Sequence, residues 1–107
     1  MDMSSIFGKV KELQENMKEA QDKIAELRAE GESGGGIVKA TVNGKKQVLK
    51  IEIDPDIISK DDKEMIEDLS AAAVNKALEN IDVKIQEEMK KVTGNLPNIP
   101  GFKFPGM

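Results

Sequence analysis

Two acidic clusters are the parts of this chain whose residue types and spacing could do chemistry. Asp54 and Asp56 flank a proline, and Asp61, Asp62 and Glu64 follow a few residues later. Carboxylates this close together could hold a hard cation. The first pair is better explained as a turn after a strand, and the second cluster as acidic residues at the positive amino-terminal end of a helix. We therefore predict no metal site and no cofactor.

Side chains suited to covalent or acid–base catalysis are scarce. The chain contains no Cys and no His, which removes the usual thiolate nucleophile and the commonest general base. The glycines from Gly31 to Gly36 follow a predicted helix and lack the Lys-Ser/Thr pair of a phosphate-binding loop. We predict that the protein is not an enzyme and has no small-molecule substrate.

Composition limits the class of protein further. The 107 residues suit one domain, and because the only aromatic residues are Phe7, Phe102 and Phe104, the core must be aliphatic. No run approaches the ~18 apolar residues of a membrane span, and the first residues do not resemble a signal peptide, so we expect a cytoplasmic protein without a membrane partner. The net charge of −4 argues against simple electrostatic binding to nucleic acid, although residues 31–55 and 94–107 are each net positive.

An apolar seam predicts a first helix over residues 5–30. Its positions alternate in spacings of four and three, as in a coiled-coil seam: Ile6, Val10, Leu13, Met17, Ala20, Ile24 and Leu27. The basic residues Lys9, Lys11, Lys18, Lys23 and Arg28 fall mostly nearer this seam, and the acidic residues point away. One interpretation is a solvated helix whose lysine stems cover the seam edges. The other is a pair of basic flanks that face a ligand.

Asn43 and Gly44 lie between two runs of alternating apolar residues, which is a strong signal of a β-hairpin. A two-residue turn here pairs Val38 with Leu49 and places six apolar residues on one face, namely Val38, Ala40, Val42, Leu49, Ile51 and Ile53. A short strand at 31–33, before three consecutive glycines, would complete a three-stranded antiparallel sheet.

A second, longer helix is predicted over residues 60–93, ending before Gly94. The alanines at 71–73 give it a smooth patch that another element can approach closely. Residues 95–107 are rich in Pro and Gly and have no periodic apolar face, so we predict a flexible tail after a single dimerising domain at 1–94.

The predicted fold class is α+β, a two-layer arrangement of helix, three-stranded sheet and long helix. Both helices keep apolar stripes that are too long for one small core to cover, and this indicates a packed or intertwined homodimer with projecting helices. Residues expected in its core or interface are Leu13, Met17, Ile24, Val38, Leu49 and Ile51. Three functions fit: a dimer that binds nucleic acid, a protein adaptor that uses its heptad helices, and a purely structural oligomer.

The sequence resembles the YbaB/EbfC family of small bacterial nucleoid-associated proteins over nearly its whole length. The similar segments are 31–39, from Gly31 to Lys39, then 42–44, 51–55, 61–69, 71–75 and the tail motif from Leu96 to Lys103. The resemblance implies a helix–sheet–helix protomer and a homodimer whose helices project like tweezers. It also implies binding of duplex DNA in the nucleoid with little sequence preference.

In that family the projecting helices are held responsible for DNA contact. Carried over to this chain, the resemblance points to eight basic residues: Lys9, Lys11, Lys18, Lys23, Arg28, Lys84, Lys90 and Lys91. Phosphate-directed binding by such residues would be strongly salt-dependent. The alternative is an adaptor that contacts proteins through its heptad helices and does not bind DNA directly.

Overall fold

A computed structural model of the chain describes residues 3–93, with side chains up to residue 91. Helix α1 spans Met3–Glu26, strand β1 Arg28–Ser33, β2 Val38–Asn43, β3 Val48–Ile53 and helix α2 Lys63–Thr93. Two short 3-10 turns, Pro55–Ile57 and Lys60–Asp62, connect β3 to α2. The strands form one antiparallel sheet in the order β1-β2-β3. The predicted α+β fold is confirmed, and the predicted tail at 95–107 lies outside the described residues.

The core lies between α2 and the first two strands. Seven buried residues form it: Ala29, Val38, Ala40, Val42, Ala73, Ala77 and Ile81. Small residues let the two layers approach closely, since a Cβ at Gly31 would collide with the α2 backbone at Ala73 and Ala77. Of the alanine patch predicted at 71–73, only Ala73 is buried; the close approach takes place at Ala73 and Ala77, whereas Ala71 and Ala72 are exposed.

The first helix ends four residues earlier than predicted, and β1 begins at Arg28 instead of residue 31. Alternation explains the difference: Ala29 and Gly31 are buried under α2, and Arg28 and Glu30 are exposed. The Leu27 carbonyl accepts a hydrogen bond from the amide of Gly44, which places the hairpin loop against the end of α1. Leu27 and Arg28 thus leave the helix for the sheet.

The hairpin lies at the predicted position, but its turn is longer. Asn43 bonds to Gln47 through its backbone amide, its Oδ1 accepts from the Lys45 and Gln47 amides, and Lys46 has a left-handed φ of 62°. This is the three-residue loop that ends in a bulge. Gly44 has no positive φ, and its lack of a side chain instead makes room for the Ile24 carbonyl.

The longer loop changes the register of β3. Val38 pairs with Ile53, Ala40 with Ile51 and Val42 with Val48, with an irregularity beside Thr41. The predicted pairing of Val38 with Leu49 is therefore wrong. Leu49 has no cross-strand partner in the ladder and is exposed.

The two helices make the molecule elongated. Its principal extents are 72 × 24 × 16 Å and its radius of gyration is 19.9 Å, whereas a compact domain of about 100 residues has a radius near 13 Å. The prediction of projecting helices is confirmed.

Candidate nucleic-acid interface

The lysines of α1 form the most open basic surface in the described residues. Lys9, Lys11, Lys18 and Lys23 are all exposed, and none of them forms an ion pair within residues 3–93. On an ideal helix they lie on both sides of a stripe that contains Glu12, Glu15, Glu19, Asp22 and Glu26. Their ammonium groups are therefore available to an anionic ligand approaching from either flank of the acidic stripe.

Arg28 and Lys84 lie at the junction between the helices and the sheet. Arg28 is the first residue of β1, so it is not on α1 as the sequence suggested. The Lys84 Nζ donates a hydrogen bond to the Arg28 carbonyl at 2.5 Å, and Asn80 Nδ2, one turn earlier on α2, donates to the Glu30 carbonyl at 2.7 Å. Lys84 therefore helps to cover the edge of β1, which limits its availability to a ligand.

Lys90 and Lys91 lie in the last turn of α2, where cations offset the negative end of the helix dipole. Lys91 Nζ lies 3.2 Å from Glu88 Oε1, three residues earlier. These two lysines are exposed at the end of α2 that extends beyond the sheet. The structure thus places the eight candidate basic residues on three different elements.

Three lysines on and beside the sheet, Lys39, Lys46 and Lys50, differ from those of α1 because acidic residues neutralise them, whereas Lys45 in the hairpin loop is exposed and forms no ion pair within the described residues. Lys39 Nζ lies 3.4 Å from Glu30 and 3.8 Å from Glu32, and Lys50 Nζ lies 2.9 Å from Glu52. The hydrogen bond to Glu52, together with its charge, raises the pKa of Lys50 above its usual value. The same hydrogen bond and the charge of Lys50 lower the pKa of Glu52.

Lys46, in the hairpin loop, follows the same pattern, since its Nζ lies 3.2 Å from Asp82 on α2. The outer face of the sheet also borders a shallow cavity of about 730 Å³ lined by both signs of charge, including Arg28, Lys50, Glu30 and Glu52. This face is close to neutral overall, which makes it a poor surface for a polyanion.

The residues predicted for the core or interface fall into three groups. Val38 is fully buried in the protomer, and Leu13, Met17 and Ile24 are half-buried along α1. Leu49 and Ile51 are each 44% exposed, so they are not buried within the protomer, and their place in a dimer interface stays a prediction. The reason is that α2 packs against β1 and β2 and leaves β3 largely uncovered.

Sequence reasoning missed this uncovered strip because alternation shows which residues share a face but not where a helix crosses it. Val48 and Ile51 are exposed, although their cross-strand partners Val42 and Ala40 are fully buried. The two edge strands of the sheet, β1 and β3, also differ in their hydrogen bonds to α2. The side chains of Asn80 and Lys84 on α2 donate hydrogen bonds to β1 carbonyls, and Ser33 Oγ on β1 donates to the Leu69 carbonyl of α2, whereas among the described residues none of the α2 side chains hydrogen-bonds to β3.

The described part of the chain holds neither a metal centre nor a membrane span. Within residues 3–93, no group of three or more acidic, His or Cys side chains is arranged to hold a metal ion. No helix in the same range has the length and apolar character needed to cross a bilayer.

Comparison with known proteins defines the class. Residues 1–96 match the model of the YbaB/EbfC DNA-binding family. A nucleoid-associated protein of Bordetella avium is 44% identical over 103 residues, covering 96% of this chain and 94% of the relative. Another, from Thermoanaerobacter pseudethanolicus, is 44% identical over 100 residues, covering 94% of this chain and 89% of the relative. The chain belongs to the YbaB/EbfC DNA-binding family, as the resemblance of its motifs indicated.

A solved structure supports the fold independently. An uncharacterized protein of Helicobacter pylori superposes with a TM-score of 0.62 at 23% identity, covering 89% of this chain and 96% of that chain. The helix–sheet–helix arrangement is therefore one that an experimental structure also adopts.

Proposed function

We propose that this protein is a nucleoid-associated DNA-binding protein of the cytoplasm that binds duplex DNA as a homodimer with little sequence preference. The observation that carries the proposal is the set of exposed lysines on α1 without ion-pair partners in the described chain, in a member of a DNA-binding family. Family membership also favours DNA binding over the adaptor alternative.

The mechanism is pairing of lysine ammonium groups with phosphates. Each such pair releases condensed counterions, which supplies affinity without regard to base sequence. Contacts to phosphate position a protein on DNA, whereas sequence is read at the base edges. Because the acidic stripe of α1 lies between its basic flanks, the flanks, and not the stripe, would face the phosphates. The eight basic residues named above remain the proposed contact set.

The direct test is a salt titration of binding to long duplex DNA of mixed sequence. We expect binding at low salt and a linear fall of log affinity with log salt concentration. Competitor duplexes of unrelated sequence should compete equally. A parent protein that does not bind DNA even at low salt would refute the proposal and favour the adaptor.

A charge-reversal variant locates the surface. Changing Lys18 and Lys23 to Glu should weaken binding to all duplexes alike and reduce the salt slope by about 0.9 for each phosphate that is no longer neutralised. Circular dichroism and sedimentation should show that the variant keeps its helices and its oligomeric state. Unchanged affinity would instead place the binding surface on Lys39, Lys46 and Lys50.

The homodimer is proposed because apolar surface is left uncovered beside the core. Val48 and Ile51 on β3 adjoin buried residues of β2, and the seam of α1 is only half-buried at Leu13 and Met17. A second copy could cover both surfaces and also the open edge of β3, which is otherwise exposed to unwanted pairing.

Sedimentation of the parent at micromolar concentration tests the dimer. Met17→Asp and Ile51→Asp should each produce monomers, because an aspartate in an apolar interface is an unpaired charge. Ile58→Asp, at a 61% exposed position outside the sheet, is the matched control and should remain dimeric. A parent protein that sediments as a helical monomer would rule the dimer out.

A further inference from the structure

The amino-terminal end of α1, residues 3–11, has a surface that phosphate binding alone does not require. Its apolar side chains are exposed: Met3 by 68%, Ile6 by 43%, Phe7 by 66% and Val10 by 47%. A Cβ added at Gly8 would have no neighbour within 4 Å. This segment, called the α1 tip below, thus projects away from the described part of the molecule.

The burial of side chains along α1 shows that the rest of the described protomer does not cover the tip. Ala20 is buried, Met17 and Leu13 are half-buried, and Val10 and Ile6 on the same seam are exposed. The 24 residues of α1 give a length of about 36 Å, and packing against α2 covers only its carboxyl-terminal part. The apolar residues of the tip therefore have no partner within the described protomer.

The charge of the tip indicates what kind of partner it fits. Residues 3–11 contain Lys9 and Lys11 and no acidic residue, with Asp2 before and Glu12 after them in a chain whose net charge is −4. Neither lysine forms an ion pair within the described chain. A partner must therefore offer negative charge beside apolar surface, and a DNA groove does this with its phosphates next to the stacked bases.

We propose that the α1 tip lies against the minor groove of bound DNA and that its Phe7 side chain is an apolar wedge inserted between base pairs. The inference rests on the proposed function. Lys9 and Lys11 would pair with the flanking phosphates, and Phe7, the one aromatic residue in the described chain, would cover the bases that separate. Such insertion partly unstacks a base step and kinks the duplex, and it requires no base-specific contact.

Relaxation of a closed circular plasmid by a topoisomerase measures the effect without a defined binding site. Unstacking changes the twist of the duplex, so the linking number after removal of the protein should shift in proportion to the amount bound. Phe7→Ala should reduce this shift per bound protein roughly threefold or more at matched occupancy. Phe7→Leu retains an apolar wedge and should keep most of the shift. Ile58→Ala, at an equally exposed apolar position outside α1, should not change it.

Two further measurements separate the wedge from phosphate pairing alone and from contact with a second copy. The salt slope of Phe7→Ala should equal that of the parent because no charge is removed, whereas Lys9→Gln with Lys11→Gln should lower it. An unchanged linking-number shift in Phe7→Ala would overturn the wedge. So would conversion of the Phe7→Ala protein to monomers in sedimentation, since the tip would then bind a second copy. DNA binding by the parent without any shift would refute the wedge alone, whereas absence of binding at low salt would refute the proposed function.

Discussion

The sheet and the first helix differ in how far their apolar side chains are buried and in whether their lysines form ion pairs. In the sheet, Val38, Ala40 and Val42 are fully buried under α2, and the outer-face lysines lie beside carboxylates. In α1 only Ala20 is buried, and the four lysines form no ion pair within residues 3–93. The difference indicates that β1, β2 and α2 provide the scaffold, and that α1 presents a surface to other molecules.

Gly31→Ala should have the largest effect on stability, because it tests the scaffold where its layers are closest. The new Cβ would collide with the backbone of α2 at Ala73 and Ala77, so the whole helix would have to move. Overpacking of this kind costs about 3 kcal/mol, which corresponds to a fall in melting temperature of roughly 15 °C. Thermal unfolding followed by circular dichroism checks it. A change of only a few degrees would mean that α2 is less closely packed than the structure has it.

The next prediction compares the lysines of α1 with those of the sheet by their contribution to DNA affinity. Lys18→Gln with Lys23→Gln should weaken binding about tenfold at moderate salt, because fewer phosphates are neutralised. Lys39→Gln with Lys50→Gln removes the same number of charges from the sheet, where Glu30, Glu32 and Glu52 already neutralise them. This second variant should bind almost as tightly as the parent in a gel shift. If the sheet variant weakened binding more, the functional contrast between the two regions would be reversed.

Much of this contrast could be predicted from the sequence, because it depends on local patterns. The seam from Ile6 to Ile24 defines α1, the three glycines after Ser33 define a turn, and Asn43 with Gly44 locates the hairpin. The glycines at 34–36 all have a positive φ, as that turn requires.

The rest depended on tertiary packing that no local pattern shows. The side chain of Asn43 organises a longer loop, and this loop together with the bulge at Leu49 moves the partner of Val38 from Leu49 to Ile53. The placement of α2 over β1 and β2 decides that Ile51 is exposed while its partner Ala40 is buried. Among the candidate site residues, the α1 lysines lie on the helix as expected, whereas Arg28 was assigned to the wrong element because its strand is short and polar.

Gly8→Ala tests the first helix in the way that Gly31→Ala tests the scaffold. It should raise the stability of the protein instead of lowering it. A Cβ at Gly8 meets no atom within 4 Å, and the residue lies inside a helix, where Ala is favoured over Gly by about 1 kcal/mol. Thermal unfolding should therefore show a small gain in stability, or a gain in helicity limited to the tip. A loss of stability would show that another molecule, such as a second copy, packs against the helix at this position.

The smallest effect is expected at the exposed pair of Lys50 and Glu52, where charge on the sheet can be tested through pH. The hydrogen bond and charge of Lys50 lower the pKa of Glu52, so the stabilisation is present above the ordinary glutamate pKa of about 4.3 and is lost as pH falls through the lower folded-state value. The pKa of Lys50 is raised, so its contribution is present below about 10.4 and is lost as pH rises through the higher folded-state value.

Glu52→Gln should therefore lower the melting temperature slightly at neutral pH, and the difference from the parent should vanish in acid, once Glu52 is protonated in both states. Exposed ion pairs contribute little, so the change should be close to the precision of the measurement. Glu12→Gln, on α1 and without an ion pair in the described chain, is the matched control for the loss of one carboxylate charge. If both variants followed the same curve, the ion pair would not distinguish the sheet from the helix. The contrast between the two regions would then depend on burial alone.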